Sequence, residues 1–376
     1  MKEYNRTCAE VDLEAIRHNI REVKGGIKEN TKIMAIVKAD AYGHGAKQVT
    51  QALDSLVDAY GVAIAEEALQ LRSYGVDKMI LILGYIDPEW FGDLICNDIS
   101  LTIFDFDTAR LLSQVACGIG KNARIHIKVD TGMSRIGFLP EKENVKAVKQ
   151  IALLPGIEIE GIFTHFARAD ETSVNPIKEP YQKFIQFVNL IKDEGVQIPI
   201  CHASNSAAII RFPEANLDMV RSGITTYGIY PSDEVEREHF HYLPAMQWKT
   251  SISYVKEVPP GTEISYGGTY TTTRRTRVAT VPIGYADGMK RSASNIGKVL
   301  VCGEYAPILG RICMDQFMID VTEIEEAKRG SKVIIFGKDG DKEITVEEAA
   351  AWSESFSYEY LCSITGRVPR KYKGIE

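Results

Sequence analysis

Lys38 follows the apolar run Ile33-Met34-Ala35-Ile36-Val37 and leads into Ala39-Asp40-Ala41-Tyr42-Gly43-His44-Gly45. Branched apolar residues in such a run have the composition of a strand buried on both faces. An amine at its end is either a solvated charge or, in a partly dry pocket, a nucleophile or base with a lowered pKa. Four further stretches supply polar groups of the same kind. Lys128 sits among Ile125, Ile127 and Val129 and leads to Asp130-Thr131-Gly132-Met133-Ser134-Arg135. An amine in that setting is expensive to bury unpaired, so a partner carboxylate is expected. His165 follows residues 158–164 and, taken alone, reads more often as a satisfied core histidine than as a catalyst. His202 precedes Ser204-Asn205-Ser206, which has the composition of a helix cap and equally of an anion site. Arg221-Ser222-Gly223-Ile224 adds a cation and a glycine that lets backbone approach a phosphate. Lys128, Arg135, Arg221 and the anion site suggest a phosphorylated, electron-rich ligand. A phosphate beside a reactive lysine suggests pyridoxal phosphate, held as a Schiff base.

These residues need a scaffold that brings strand ends together. Short apolar segments at 9–13, 32–38, 60–64, 79–83, 100–104, 124–129, 158–164, 199–202 and 218–220 alternate with helical patterns up to about residue 230. That rhythm implies βα units and a parallel sheet. So many units in so short a length fit a closed barrel better than an open doubly wound sheet, although periodicity alone leaves both open. From about residue 243 the helical pattern gives way to strand-like, turn-rich sequence with one evident helix at 345–354. The expected fold is therefore α/β: a (β/α)8 TIM-like barrel over 1–238, then a mainly β domain over 239–376. In a barrel of this type the site lies at the C-terminal ends of the strands, where all five polar stretches fall, with Lys38 at the end of the second.

Composition narrows the function classes. The chain has 376 residues, 45% hydrophobic and 25% charged, with a net charge of −7. It has no basic arm for nucleic acid and no apolar stretch long enough to cross a bilayer. Its 7 cysteines include no CxxC pair, which argues against a disulfide framework and a zinc site. No metal site is expected, and the chain reads as cytoplasmic. GxxxxGK[ST], GxGxxG after a strand, and HExxH are all absent.

The motifs together resemble the alanine racemase family, including the related serine racemases of glycopeptide resistance. The resemblance rests on Val37–Gly45 as written above and on Lys128-Val129-Asp130-Thr131-Gly132-Met133-Ser134-Arg135. It continues through Thr164-His165-Phe166-Ala167, His202-Ala203-Ser204-Asn205-Ser206-Ala207 and Arg221-Ser222-Gly223-Ile224. In the later domain it takes in Ile264-Ser265-Tyr266-Gly267-Gly268-Thr269-Tyr270, Ile283-Gly284-Tyr285-Ala286-Asp287-Gly288, Gly310-Arg311-Ile312-Cys313-Met314-Asp315-Gln316 and Arg367-Val368-Pro369-Arg370.

The resemblance implies a pyridoxal 5′-phosphate enzyme that interconverts L- and D-alanine, supplying D-alanine for peptidoglycan. Lys38 would carry the cofactor and be the base on the D side, and Tyr266, oriented by His165, the base on the L side. A phenol is a weak acid, so such a base needs cationic surroundings or a path for its proton. Arg221 would face the pyridine nitrogen and Arg135 the ring hydroxyl and substrate carboxylate, with Lys128 carbamylated to hold Arg135. Tyr42, Asn205, Ser206, Gly223, Ile224 and Tyr358 would surround the phosphate. Tyr285, Met314 and Asp315 would line the substrate side. A head-to-tail homodimer with shared sites is implied. Alternatives are a serine racemase of the same fold, a barrel-type pyridoxal-phosphate decarboxylase, which would need an acidic partner in place of Arg221, and a non-catalytic carrier. Tyr358 favours alanine; Gly366 stands where the family commonly has tyrosine.

Overall fold

A computed structural model describes residues 6–374. The chain divides into two compact units. One takes in residues 14–41 and 46–243; the other takes in the stretch ending at Leu13, residues 42–45, and the chain from Pro244 onward. The division expected at 238/239 therefore falls at 243/244, and the N-terminal segment joins the later unit.

That reassignment corrects the expected strand order. β1 (Thr7–Asp12) pairs antiparallel with Met246–Ser251 and parallel with Arg370–Lys373, outside the barrel. The reason lies in its pattern: β1 buries alternate residues, the habit of a strand with one wet face, whereas barrel strands are buried on both. The barrel begins with β2 (Lys32–Ile36), so Lys38 follows its first strand, not its second. β3 (Ala59–Val62), β4 (Met79–Ile82), β5 (Ser100–Ile103), β6 (Ala123–Lys128), β7 (Ile157–Phe163), β8 (Ile200–His202) and β9 (Met219–Ser222) complete a parallel eight-stranded sheet in which β9 pairs back onto β2. The remaining gap closes through single hydrogen bonds: Asp218 N donates to Cys201 O (3.1 Å) and Arg221 N to Ser204 O (3.1 Å).

Helices cover this sheet with apolar stripes at helical spacing. Asn175–Asp193 buries Ile177, Phe184, Phe187, Val188 and Ile191, and Phe106–Ile119 buries Ala109, Leu112 and Ala116. Each fully buried phenylalanine stabilises the unit by about 1.5–3 kcal/mol of transfer free energy. Among the described residues no helix is long and apolar enough to cross a membrane.

The second unit is a largely antiparallel sheet in the order Tyr254–Val258, Thr276–Val281, Phe317–Asp320, Glu304–Leu309, Lys298–Val301, Lys332–Asp339, Met246–Ser251, β1 and Arg370–Lys373. Trp248, Phe317 and Tyr360 fill its core, and the indole of Trp248 donates to Thr7 Oγ1 at 2.9 Å. The helix expected at 345–354 is the shorter Val346–Ala351, and a second helix that was not expected, Ser357–Cys362, follows it. Glu354, with φ of +50°, adopts the left-handed conformation that interrupts the first.

Candidate active site

Lys38 opens an unusual turn. The four residues after it, Ala39, Asp40, Ala41 and Tyr42, all have φ between +51° and +55°. None is glycine, and left-handed backbone costs L-residues about 1–2 kcal/mol each. Carboxylates clamp the turn. Glu67 accepts from Ala39 N at 2.6 Å and from Ala63 N at 2.8 Å, joining the turn to the loop after β3. Asp40 accepts from Ala46 N at 2.7 Å. Glu67→Ala is expected to destabilise the barrel unit by about 1–2 kcal/mol, since two N–H groups lose a charged acceptor. A fall in the urea midpoint checks it, and an unchanged midpoint would mean the turn is held by other groups.

Around His165 the barrel gathers four cations. The imidazole is held well below its ordinary pKa by burial, then by Arg221, Arg135, Lys128 and Lys38. Arg221 on β9 is 3% exposed; its guanidinium donates to Thr164 O (2.7 Å) and Ala203 O (2.8 Å) and lies 3.0 Å from His202 Nδ1 and 3.3 Å from His165 Nδ1. Burial, then Arg135, pulls Arg221 down to about 9, which leaves it charged at neutral pH. Lys128 is 2% exposed. Its expected carboxylate partner is not there: Nζ donates instead to the carbonyls of Val129 (2.7 Å) and Ile136 (3.2 Å). Burial first, then Arg221, lowers the amine to about 8.

Arg135 rides on a loop folded over the end of β6. Asp130 Oδ1 accepts from the backbone N of Gly132, Met133 and Ser134 at 2.9–3.1 Å, and Gly137 admits no Cβ because one would lie 2.5 Å from Asp130 N. The guanidinium of Arg135 is exposed and makes no ion pair among the described residues.

The third group lies between β8 and β9. Asn205 caps Ser206–Arg211 by accepting from Ala208 N at 3.0 Å, as expected of the Ser-Asn-Ser run. Ser206 Oγ accepts from Gly223 N (2.9 Å) and lies 3.0 Å from Thr225 Oγ1; Ile224 follows at 1% exposure. Ser204 Oγ is buried with no hydrogen-bond partner. An orphaned buried hydroxyl next to Arg221, whose backbone N donates to Ser204 O, is a donor that an anion could take up. One carboxylate, Asp130, stands among the cations around His165, and it is already engaged by three backbone N–H groups. An anionic, aldehyde-bearing cofactor therefore fits the residues present.

The remaining expected residues lie in the second unit. Tyr42 and Tyr358 face each other there with ring centroids 6.1 Å apart, and burial, then Tyr358, raises the Tyr42 phenol. Three loops converge on one surface. Ser265, at φ of +67°, donates through Oγ to Arg311 O at 2.6 Å, which fixes the turn carrying Tyr266. Tyr285 N donates to Cys313 O and Ala286 N to Met314 O, both at 3.0 Å, and a Cβ on Gly284 would lie 2.2 Å from Met314 O. Arg367 holds Asp315 at 2.7 Å. Tyr266 is 70% exposed and Met314 52%, with Tyr285 also exposed beside them.

Sequence reasoning passed over Glu67, Ser204 as an orphan, and the carboxylate Glu160 behind Arg221. Glu67 carries little local signal: Ala63 N is four residues away, but the partner that ties it to the turn after Lys38, Ala39 N, lies 28 residues off in sequence. Glu160 does, since a glycine beside a charge within a strand marks a bulge.

Known proteins resemble this chain along nearly its whole length. Residues 11–231 match the family model "Alanine racemase, N-terminal domain" and residues 245–372 match "Alanine racemase, C-terminal domain". The chain is 46% identical over 365 residues to the alanine racemase of Methanococcus maripaludis, covering 97% of this chain and 98% of that one. Among solved structures it resembles the alanine racemase of Clostridium difficile 630, with a TM-score of 0.96, 42% identity, and coverage of 99% and 97%. It also resembles that of Bacillus anthracis with bound L-Ala-P, at a TM-score of 0.92, 36% identity, and coverage of 99% and 96%.

Proposed function

Since this chain belongs to the alanine racemase family, we propose that it interconverts L- and D-alanine with pyridoxal 5′-phosphate and two bases, Lys38 and Tyr266. The observation that carries the reading is the cation cluster around His165, with Arg221 buried and charged at its centre. Lys38 would hold the cofactor, Ser204, Asn205, Ser206, Gly223 and Ile224 with Tyr42 and Tyr358 would take its phosphate, and Arg221 would stand as the cationic partner of its ring. When bound, the group supplies an electron sink that acidifies the substrate's Cα–H.

The chain's own residues do the rest. Arg135 receives the substrate carboxylate as a fork-shaped cation. Lys38 Nζ takes the α-proton from one face, and the Tyr266 hydroxyl delivers a proton to the other; the reverse direction exchanges these roles. Neutral His165 offers a nitrogen that can take up or return the phenol's proton. Arg221 keeps its own proton, so it would not strengthen the group's pull on electrons as a proton-donating partner would. Tyr285, Met314 and Asp315 shape the entrance.

Tyr266, Tyr285 and Met314 form an exposed aromatic and apolar surface, which supports a homodimer whose second copy completes each site. The same reading places the enzyme in the cytoplasm. Loss of optical rotation from L-alanine by protein loaded with pyridoxal phosphate tests the assignment. Absence of turnover, or faster turnover of L-serine, would overturn it.

Lys128 is assigned a carbamate. Its neutral amine attacks CO2, a C–N bond forms, and the proton leaves to solvent, which replaces a cation by an anion beside Arg135. Because the amine titrates at about 8, carbamate formation is expected to rise as pH increases through that value. Mass analysis of the native protein should find one CO2 on residue 128. The unmodified amine has a folded pKa below the ordinary lysine value, so its stability contribution rises with pH only from about 8 to about 10.4, whereas a carbamate, which carries no ammonium proton, extends that rise below about 8. Thermal midpoints below pH of about 8, with and without CO2, separate the two states.

A further inference from the structure

The back of Arg221 leads into a buried chain of hydrogen bonds. Arg221 Nη1 lies 3.0 Å from His202 Nδ1, His202 Nε2 lies 2.9 Å from His126 Nδ1, and His126 Nε2 lies 3.3 Å from Glu160 Oε2. Both imidazoles are wholly buried, with ring planes at 78°. Ser100 Oγ donates to the same carboxylate oxygen.

The two ends determine every proton between them. A guanidinium only donates, so His202 Nδ1 is bare and its proton is on Nε2. That proton points at His126 Nδ1, which must accept, leaving the His126 proton on Nε2. A carboxylate only accepts, and Glu160 receives it. Burial would raise the Glu160 carboxyl, yet the bonds from His126 and Ser100 hold it below its usual range, so it is ionised. Burial, then Arg221 and His126, keep His202 far below its ordinary value and thus neutral.

The backbone is shaped for this contact. Strand β6 pairs with β7 at Ile125↔Ile159 and then at His126↔Gly161, so Glu160 is the extra residue of a bulge. Bulges re-aim side chains beside active sites. A Cβ on Gly161 would lie 2.5 Å from the His126 ring and 2.8 Å from Ile200 O. Only glycine leaves room for the imidazole there.

We propose that Glu160 is a positioning residue for Arg221: its charge, relayed by two neutral histidines of fixed tautomer, keeps the buried guanidinium charged and aimed at the strand ends. The proposal rests on the pyridoxal-phosphate reading only for what Arg221 faces. The hydrogen-bond chain belongs to the barrel itself.

Nitrogen NMR of protein labelled at its 7 histidines and loaded with pyridoxal phosphate tests the relay. Two rings are expected as neutral Nε2–H tautomers; a doubly protonated ring or an Nδ1–H tautomer at either position overturns it. Glu160→Gln keeps an acceptor but removes the charge. It is expected to shift the bound cofactor's absorption band and lower kcat roughly tenfold, the scale of one hydrogen bond to a charged group, with little change in KM. Ser100→Ala removes a competing donor, strengthens the carboxylate as acceptor, and is expected to shift the band the other way. Unchanged spectra in both variants overturn the proposal, and Ser100→Ala decides alone if Glu160→Gln does not fold. If the parent takes up no cofactor, the cofactor reading fails, and the histidine tautomers still decide the relay.

Discussion

Tyr266→Phe is expected to lower racemisation by roughly 10²–10⁴-fold, the contribution of one positioned acid–base group. The substitution removes a single oxygen from a side chain that is 70% exposed and has no packing role in its own unit, so folding should be unaffected. Its signature is asymmetry. In deuterated water the variant should still exchange the α-proton of D-alanine, because Lys38 serves that face, while conversion to the other enantiomer fails. Proton NMR of each enantiomer, read beside optical rotation, separates the two steps. Normal racemisation by the variant would sink the two-base assignment.

Lys38→Ala should have the larger effect. It removes one base and the attachment point together, so the loss is expected to reach about 10⁴-fold or more, the upper end for a single acid–base group. Borohydride treatment of the loaded parent should fix the cofactor to residue 38, and the variant should yield no such adduct. The left-handed turn makes the position unforgiving: an amine moved elsewhere on the segment would not share Lys38's place in the electrostatic field at His165. A reduced adduct on another lysine with activity retained would refute the assignment.

The two variants probe different parts of the chain. Lys38 belongs to a field built by Lys128, Arg135 and Arg221, in which the two buried cations, Lys128 and Arg221, repel each other and an anion would relieve them. Tyr266 belongs to a surface built by strained and glycine-dependent loops: Ser265 at φ of +67°, Gly284 against Met314 O, and Gly310, whose Cβ would lie 2.3 Å from Ile264 O. Such strain is held where surrounding structure over-determines it.

Much of this was legible in the chain itself. The alternation of short apolar segments with helical patterns specifies a parallel barrel because strands buried on both faces must be nearly all apolar, and their ends are then the places where polar residues can emerge. Lys38, Lys128, His165, Asn205 and Arg221 stand out for that reason, and Asn205 caps its helix as its type predicts.

Other features depend on pairs far apart in sequence. Whether residues 7–12 belong to the barrel was decided by their partners, 246–251 and 370–373. Their alternating burial is a weak local sign that only pairing resolves. Lys128 was expected to find a carboxylate and found carbonyls, because the loop through Ile136 folds back over β6. Glu67 and Glu160 act on backbone and imidazole groups brought to them by neighbouring strands. Residue types and their order along strands thus determined which groups could reach one mouth and what chemistry they favour. Tertiary structure alone decided which charges are compensated, which protons have fixed places, and how the turn after Lys38 is held, since each depends on distances between segments that the chain does not encode locally.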